Sequence, residues 1–488
     1  MAVGVTSNSP DGVPCPWATA ASRWPDELAC VTTSGKQLTW SDLDDRIHFV
    51  QQTLASRKAS VLGYVVDNTE RDIFVVVAAL REGRDVMLFG QRTPAAQVQR
   101  QCMVNDALLI EGLERSGTSE LEDEPERVYE DTTSSGTSRS RTLLTGATLI
   151  RTSGSTGSAR WIRHRAAAHV ASAHAVAQRL ALDTDDRWGW CLPSNHVGGL
   201  SILWRSALAG AATIAMPRGV SLGSWLSSIP EDFSPTILSL VPTQLHDLLA
   251  EPHSFAVLPR TVIVGGAALA PSLLSRAISA GWPIRTTYGM TETASMVTLS
   301  DVWSESGQEV HVGTALSHAA LSTRSDRLFV KTASLGESLA GPDGWMPTSD
   351  RGTLRGDAQW IVEGRLDRVI ISGGENLDPS RIESAILALA DKKDVLGKSI
   401  KANVLDIVGV RVVGTPDDRY GERPVAFIEG STPMPDQAWF LQALASSLAS
   451  FEIPDLFLPM PAAEEGEAKP SNARLVQVAI ASRKASGF

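Results

Sequence analysis

The stretch Thr148-Leu149-Ile150-Arg151-Thr152-Ser153-Gly154-Ser155-Thr156-Gly157, followed shortly by Arg160, runs from an apolar strand into a turn of glycine and hydroxyl residues. Such a turn exposes backbone N–H groups and side-chain hydroxyls, the donors that suit the phosphates of a nucleotide. It lacks the GxxxxGK[ST] spacing of the common phosphate loop. Alone it reads equally as a mobile Ser/Gly linker, and the strand before it tips the reading toward a functional turn.

Upstream, VLGYVV (61–66) and DVMLFG (85–90) flank an apolar stretch at 73–80, a strand–helix–strand order that implies a crossover in a parallel sheet. Before them, Leu43, Ile47, Val50 and Leu54 recur at helical spacing, with Ser41 as the expected N-cap. Downstream, residues 166–181 are Ala-rich and helical, and strands are expected at 212–216, 236–241 and 261–265. Near 364 the character changes. GRLDRVIISGGENLDP leads to a helix opening at Pro379 with Ile382, Ile386 and Leu389 on one face; strands at 403–413 and 424–429 and a helix at 437–450 complete the chain. The expected organisation is a large α/β domain over 1–366 and a small α+β domain over 367–488. Residues 111–142, rich in acids, Ser and Thr, read as a flexible loop.

The 488 residues exceed one compact core, and 43% hydrophobic with 20% charged residues is ordinary globular usage. Fifty-five acids against 44 Lys plus Arg give a net charge of -11, opposite to the balance of a nucleic-acid binder. Cys15, Cys30, Cys102 and Cys191 form no CxxC pair, so a reducing compartment without a disulfide framework is expected. The N-terminus has no signal-peptide pattern, and Ile73–Leu80 is too short to span a bilayer. A cytoplasmic protein without membrane insertion is the expectation.

Four further segments carry chemistry. In Thr287-Tyr288-Gly289-Met290-Thr291-Glu292-Thr293 the tyrosine suits a flat purine and the glutamate suits Mg²⁺ beside phosphates; the segment reads equally as a capped strand end. Asp350 in PTSDRG, and Arg365 with Asp367 in GRLD, suit ribose hydroxyls but are each ordinary surface turns alone. Lys469 in GEAKPSNAR is, by itself, a solvated lysine.

In this order and at these separations, the five segments resemble the adenylate-forming superfamily of acyl-CoA synthetases, peptide-synthetase adenylation domains and luciferases. The resemblance covers the chain from about residue 35 onward and is weakest over 111–142. LPSNHVGGLSILWRS (192–206), VPTQLHDLL (241–249), VGGAAL (264–269) and ISGGENLDP (371–379) look most like the branch of o-succinylbenzoate–CoA ligases of menaquinone biosynthesis. The fold implied is a large N-terminal domain of mixed sheets flanked by helices, with a small mobile C-terminal domain. The implied substrates and cofactors are ATP, Mg²⁺, coenzyme A and a small carboxylic acid. A homodimer is left open.

The resemblance implies that Thr152, Ser153, Gly154, Ser155, Thr156 and Gly157 with Arg160 hold phosphates. Gly265, Gly266 and Ala267 would border the adenine, with Thr287 and Gly289 beside Tyr288, which stacks on it. Thr291 would contact the α-phosphate, Glu292 the Mg²⁺, and Asp350 the ribose, with Arg365 alongside. Asp367 would be the hinge, Lys469 the cation of adenylation, and Gly373–Gly374 the loop on the CoA side. His196, Gly199 and Arg205 would line the acyl pocket, where Arg205 would meet the second carboxylate of the acid.

Two departures stand out: Ala159-Arg160 replaces the usual Pro-Lys, and Glu467-Ala468 separates Gly466 from Lys469. The competing readings are a domain that loads a carrier-protein thiol and a paralogue that binds adenylate without turnover. His164, His169 and His174 are set aside as a metal cluster, because a five-residue spacing on one helix turns each ring about 140° from the last. No GxSxG elbow occurs.

Overall fold

The computed structural model describes residues 12–91, 93–110, 142–152, 160–250, 255, 257–305, 309–356, 358–366, 370–372, 375–391, 407–417, 420–430, 434–463 and 470–486. The expected acidic loop therefore lies outside the described residues, apart from Thr142.

Two sheets face each other across a layer of helices. One has five strands in the order Ala107–Leu109, Val61–Val65, Asp85–Phe89, Ala147–Arg151 and Trp161–Arg165; the first four are parallel and the last antiparallel. The other has seven, in the order Ile284–Thr286, Thr261–Val264, Ile237–Leu240, Arg187–Trp190, Ala212–Ala215, Leu28–Val31 and Gln37–Thr39. Only the final hairpin is antiparallel.

Strand period explains the layering, since successive residues face opposite sides. Ile237 and Ile263 point into the central core with Leu62, Leu88 and Ile150 of the facing sheet. Leu238, Leu240, Val262 and Val264 point the other way, against helices Leu222–Ser228, Pro242–Ala250 and Pro271–Ser279. Met87 and Phe89 cover the outer face of the smaller sheet with Val98 and Cys102 of helix Ala95–Val104. The apolar run Ile73–Leu80 belongs to helix Glu70–Arg81 and is buried all round between the sheets, which is why it carries no amphipathic stripe. No described helix is long and apolar enough to cross a membrane.

Helix Trp40–Ala55 buries Leu43, Ile47, Val50 and Leu54 as the spacing predicts. Its cap is Thr39, however, and not Ser41. The Thr39 hydroxyl accepts from the Asp42 N–H at 3.1 Å, while the Asp42 carboxylate accepts from the Thr39 N–H at 2.9 Å. This reciprocal pair starts the helix early enough to seat Trp40, whose indole N–H reaches the Gly210 carbonyl.

A four-stranded antiparallel sheet (Ala319–Arg324, Arg327–Thr332, Met346–Arg355, Gln359–Arg365) follows. Beyond it, Glu375–Leu377, Ile370–Ser372, Gly421–Gly430 and Ile407–Asp417 form another sheet, joined by Leu456–Pro459 along Gly421–Gly430. This small α+β part has its own core, in which Ile382, Ile386 and Leu389 pack with Phe440 and Phe457. The helix expected over 437–450 stops at Leu444. The weak helix formers Ser446 and Ser447 allow a tight turn there, in which the Ser447 N–H reaches the Leu444 carbonyl and Leu448 folds back into the core.

Phe440 is fully buried and stacks on Phe457 with ring centres 4.4 Å apart. Phe440→Ala is expected to destabilise this part by about 3–5 kcal/mol, read as an early urea transition that leaves the tryptophan signal of the large part in place.

Candidate active site

The site is built from loops at the carboxyl ends of the parallel strands, where such sheets place ligands. Strand Ala147–Arg151 delivers Thr152, whose N–H donates to the Arg160 carbonyl at 2.8 Å, while the Arg160 N–H donates to the Thr152 hydroxyl at 3.2 Å. These bonds hold Thr152 and Arg160, which flank the hydroxyl-rich segment, side by side. Ser153, Gly154, Ser155, Thr156 and Gly157 lie outside the described residues, as do Asp367, Gly373, Gly374 and Lys469.

The neighbouring strand ends bring Gly265 against Thr287. A Cβ at Gly265 would sit 2.5 Å from the Thr287 methyl, and Gly266 has φ +77°, so both positions require glycine. Gly289 is similarly confined: a Cβ there would lie 2.2 Å from the Ser295 carbonyl oxygen. Ala267 is exposed beside them.

Tyr288 and Asp350 meet. The phenol donates to the Asp350 carboxylate at 2.5 Å, and Arg365, opposite Asp350 in the antiparallel ladder, approaches its other oxygen at 3.9 Å. Burial and then the charge of Asp350 push the Tyr288 phenol well above its usual range, so it stays a neutral donor. The three expected adenosine-side residues thus form one cluster.

Thr291 and Glu292 sit in a single 3₁₀ turn, Thr291–Thr293. Among the described residues the Glu292 carboxylate forms no ion pair, and no group of three or more acids, histidines or cysteines is arranged to hold a metal. A lone carboxylate still fits Mg²⁺, which keeps most of its ligands from water and substrate phosphates. Beneath the turn lies His164, whose Nε2–H donates to the Thr291 carbonyl at 2.7 Å. Burial pulls His164 down to about 4, so the ring is neutral.

The histidine trio needs correcting. His164 belongs to strand Trp161–Arg165, not to the helix, so the five-residue rotation does not apply to it. Its ring lies 5.5 Å from that of His169, while His174 is exposed on helix Ala166–Leu180. His169 binds the Thr148 hydroxyl at 2.8 Å and stacks on Trp204. The pair is a ring contact, and among the described residues it belongs to no group of three or more metal-ligating side chains.

Of the residues expected beside the acyl group, His196 is exposed and caps helix Val197–Ala209. Gly199 is forced by backbone: a Cβ would meet the Pro193 carbonyl at 2.3 Å. Arg205 belongs to this same helix, one to two turns further in, and is 1% exposed. Its Nη2 donates to the Ser295 hydroxyl at 3.0 Å, its guanidinium lies 5.3 Å from the centre of the Trp188 ring, and its Nε has no partner among the described residues. Burial pulls it down to about 9, which leaves it charged at neutral pH. No described carboxylate pairs with it. A buried, unpaired guanidinium costs on the order of several kcal/mol, a cost that an incoming anion would remove.

Sequence reasoning missed His318, Ser295, Ser334 and Gly336. Both ring nitrogens of His318 are buried and without partners among the described residues. Burial first, then the charge of Arg205, pull this imidazole down to about 4. A histidine in a strand-connecting turn carries no spacing signal that would mark it.

Residues 17–327 match the model of the AMP-binding enzyme family, and the chain belongs to that family. Among its relatives is the 2-succinylbenzoate–CoA ligase of Haemophilus influenzae, 27% identical over 470 residues, covering 91% of this chain and 94% of the relative. The 2-succinylbenzoate–CoA ligase of Escherichia coli is 31% identical over 329 residues, covering 66% of this chain and 65% of the relative. The fold is that of o-succinylbenzoate CoA synthetase from Bacillus subtilis. Its complex with the acyl-adenylate intermediate OSB-AMP aligns at TM-score 0.75 and 22% identity, covering 95% of this chain and 98% of that one. Its complex with ATP and magnesium ion aligns at TM-score 0.73 and 21% identity, covering 94% and 98%.

The His318 imidazole gives a pH test. Between pH 6.5 and about 4 the unfolded chain takes up a proton there that the folded chain refuses, so stability falls as pH drops through that window. The expected loss approaches about 3 kcal/mol. His318→Leu should flatten that part of the curve in urea titrations at pH 7 and 4.5; an unchanged acid slope would contradict the assignment.

Proposed function

We propose that this chain is an ATP-dependent acid–CoA ligase acting on 2-succinylbenzoate. In the first half-reaction the substrate carboxylate attacks the α-phosphate of ATP; the P–O bond to the β-phosphate breaks, giving an acyl-adenylate and pyrophosphate. In the second, the CoA thiol attacks the acyl carbonyl, loses its proton, and AMP leaves. The observation that carries the substrate reading is Arg205. A guanidinium that is charged at neutral pH, buried, and without a carboxylate partner among the described residues suits a carboxylate that the reaction does not consume, and 2-succinylbenzoate has one carboxylate to activate and one to spare.

The remaining roles are those that the motifs' resemblance to the adenylate-forming enzymes implies, and the contact between Tyr288 and Asp350 supports the adenosine side. The turn Thr152–Gly157 and Arg160 take the phosphates, with Arg160 offering a planar fork in place of a lysine's point charge. Gly265, Gly266 and Ala267 border the base, with Thr287 and Gly289 shaping the same wall. Tyr288 lies against the base and holds Asp350 with its hydroxyl, leaving the carboxylate's remaining lone pairs for the ribose, with Arg365 beside it. Thr291 faces the α-phosphate. Glu292 holds Mg²⁺, which when bound neutralises phosphate charge during transfer. Positioning and electrostatics of this kind supply most of the acceleration in phosphoryl transfer.

Lys469 approaches the reacting carboxylate and α-phosphate for the first step. Rotation about Asp367, the boundary between domains 1–366 and 367–488, then replaces it with the Gly373–Gly374 loop on the thiol side. His196 and Gly199 border the acyl group. The described cysteines are all free, in keeping with a cytoplasmic setting.

The test is carboxylate-dependent exchange of labelled pyrophosphate into ATP, followed by CoA-dependent release of AMP. Exchange without CoA-dependent release would favour a carrier-loading domain, and absence of exchange a non-catalytic binder. Arg205→Leu should raise KM for 2-succinylbenzoate by roughly 10²-fold while changing that for a benzoate-like monoacid by less than about 3-fold; equal effects would remove the carboxylate reading. Lys469→Ala should lower exchange by about 10²-fold or more and spare thioester formation from preformed acyl-adenylate.

A further inference from the structure

The turn that carries Thr291 and Glu292 is only three residues long, and one turn of 3₁₀ helix has little stability of its own. It also leaves through two residues in unfavourable backbone regions, Ala294 at φ +50° and Ser295 at φ +111°. Such geometry persists only where the surroundings dictate it.

Those surroundings are specific. The three successive carbonyls of the turn are each taken by a donor from elsewhere in the chain. His164 Nε2 donates to the Thr291 oxygen at 2.7 Å, the Gly336 N–H to the Glu292 oxygen at 2.8 Å, and the Ser334 hydroxyl to the Thr293 oxygen at 2.8 Å. The donors come from two directions. His164 lies on the strand leaving the phosphate turn, paired across the ladder with Thr148. Ser334 and Gly336 lie between strands Arg327–Thr332 and Met346–Arg355, where Glu337 also salt-bridges Arg163 at 2.7 Å. The two sides nearly touch: a Cβ at Gly336 would sit 2.4 Å from the Ile162 methyl and 3.2 Å from the His164 ring. At its far end the same turn presents Ser295 to Arg205.

We infer that His164 and Ser334 are positioning residues for adenylation, which fix the direction of Thr291 and Glu292 toward Mg·ATP by gripping the carbonyls behind them. The inference rests on the ligase reading. Neither side chain touches substrate; each acts through the backbone of the turn. With the carbonyls bound behind, the turn cannot rotate and carry the Glu292 carboxylate away from the phosphates. A donor of similar reach should therefore substitute for the imidazole, whereas an apolar group of similar size should not.

The experiment compares wild type, His164→Leu, His164→Gln and Ser334→Ala. Pyrophosphate exchange gives KM for Mg·ATP and for the acid separately; calorimetric titration gives the Kd for ATP with and without Mg²⁺. The expected result for His164→Leu is a roughly 10-fold or greater rise in KM and Kd for Mg·ATP, a smaller change in Kd for ATP without metal, and KM for the acid within about 3-fold of wild type. His164→Gln should recover most of the loss, and Ser334→Ala should shift the same constants less. If His164→Leu does not fold, Ser334→Ala and His164→Gln carry the same comparison. Parallel loss of every parameter with a lowered Tm, unaltered Mg·ATP binding in folded variants, or no difference between Leu and Gln would each overturn the positioning role while leaving the ligase reading intact. A wild-type protein without carboxylate-dependent exchange would instead overturn the ligase reading itself.

Discussion

Sheets whose strands run parallel and bury both faces leave only the strand ends free for chemistry. In this molecule two such sheets share one helical layer, so side chains along Ile237–Leu240 or Thr261–Val264 are spent on cores in both directions. The candidate site residues that these two sheets carry lie just beyond their strands: Thr152 after one, Gly265 and Gly266 after another, Thr287 and Tyr288 after a third. The ladders hold the backbone at Val264 and Thr286 in register, which brings Gly265 against Thr287 without any side chain between them.

Within that frame the site is held by unequal means. Glycine solves the problem of close approach at Gly265, Gly289, Gly199 and Gly336, each for lack of room for one carbon. Hydrogen bonds to backbone solve the problem of aim at the turn Thr291–Thr293. The helix Val197–Ala209 carries an electrostatic imbalance: Arg205 is buried, has a hydroxyl and an indole face for company, and meets no described anion. Its neighbour His318 adds two buried, unpartnered ring nitrogens.

Much of this was legible in the sequence, and what was not has definite reasons. Periodicity gave Leu43 to Leu54 and Ile382 to Leu389, because one-sided burial writes itself into spacing. The cap of the first of these helices was misread at Ser41, since Thr39 and Asp42 work as a pair and Ser41 has the right chemistry in the wrong place. Glu292, Tyr288 and Asp350 sit in segments of recognisable order, and the structure brings Tyr288 and Asp350 into contact. By contrast, Ser334, Gly336 and His318 act from connections between antiparallel strands, where neither spacing nor composition indicates what they will meet. His164 was visible but was judged by helical rotation, which has no meaning on a strand. Placing it required knowing where the strand Trp161–Arg165 stops.

The helix Glu70–Arg81 has a consequence for biosynthesis. It is greasy on every side and is covered only when both sheets are present, yet strand Leu28–Val31 finds its parallel partner at Ala212–Ala215. A ribosome adding about 5–20 residues per second needs on the order of ten seconds or more to cover that distance. Throughout that interval the nascent chain displays an unsheltered apolar rod, so its yield in a cell should depend on how well it is chaperoned before the second half emerges, more than on the stability of the finished molecule.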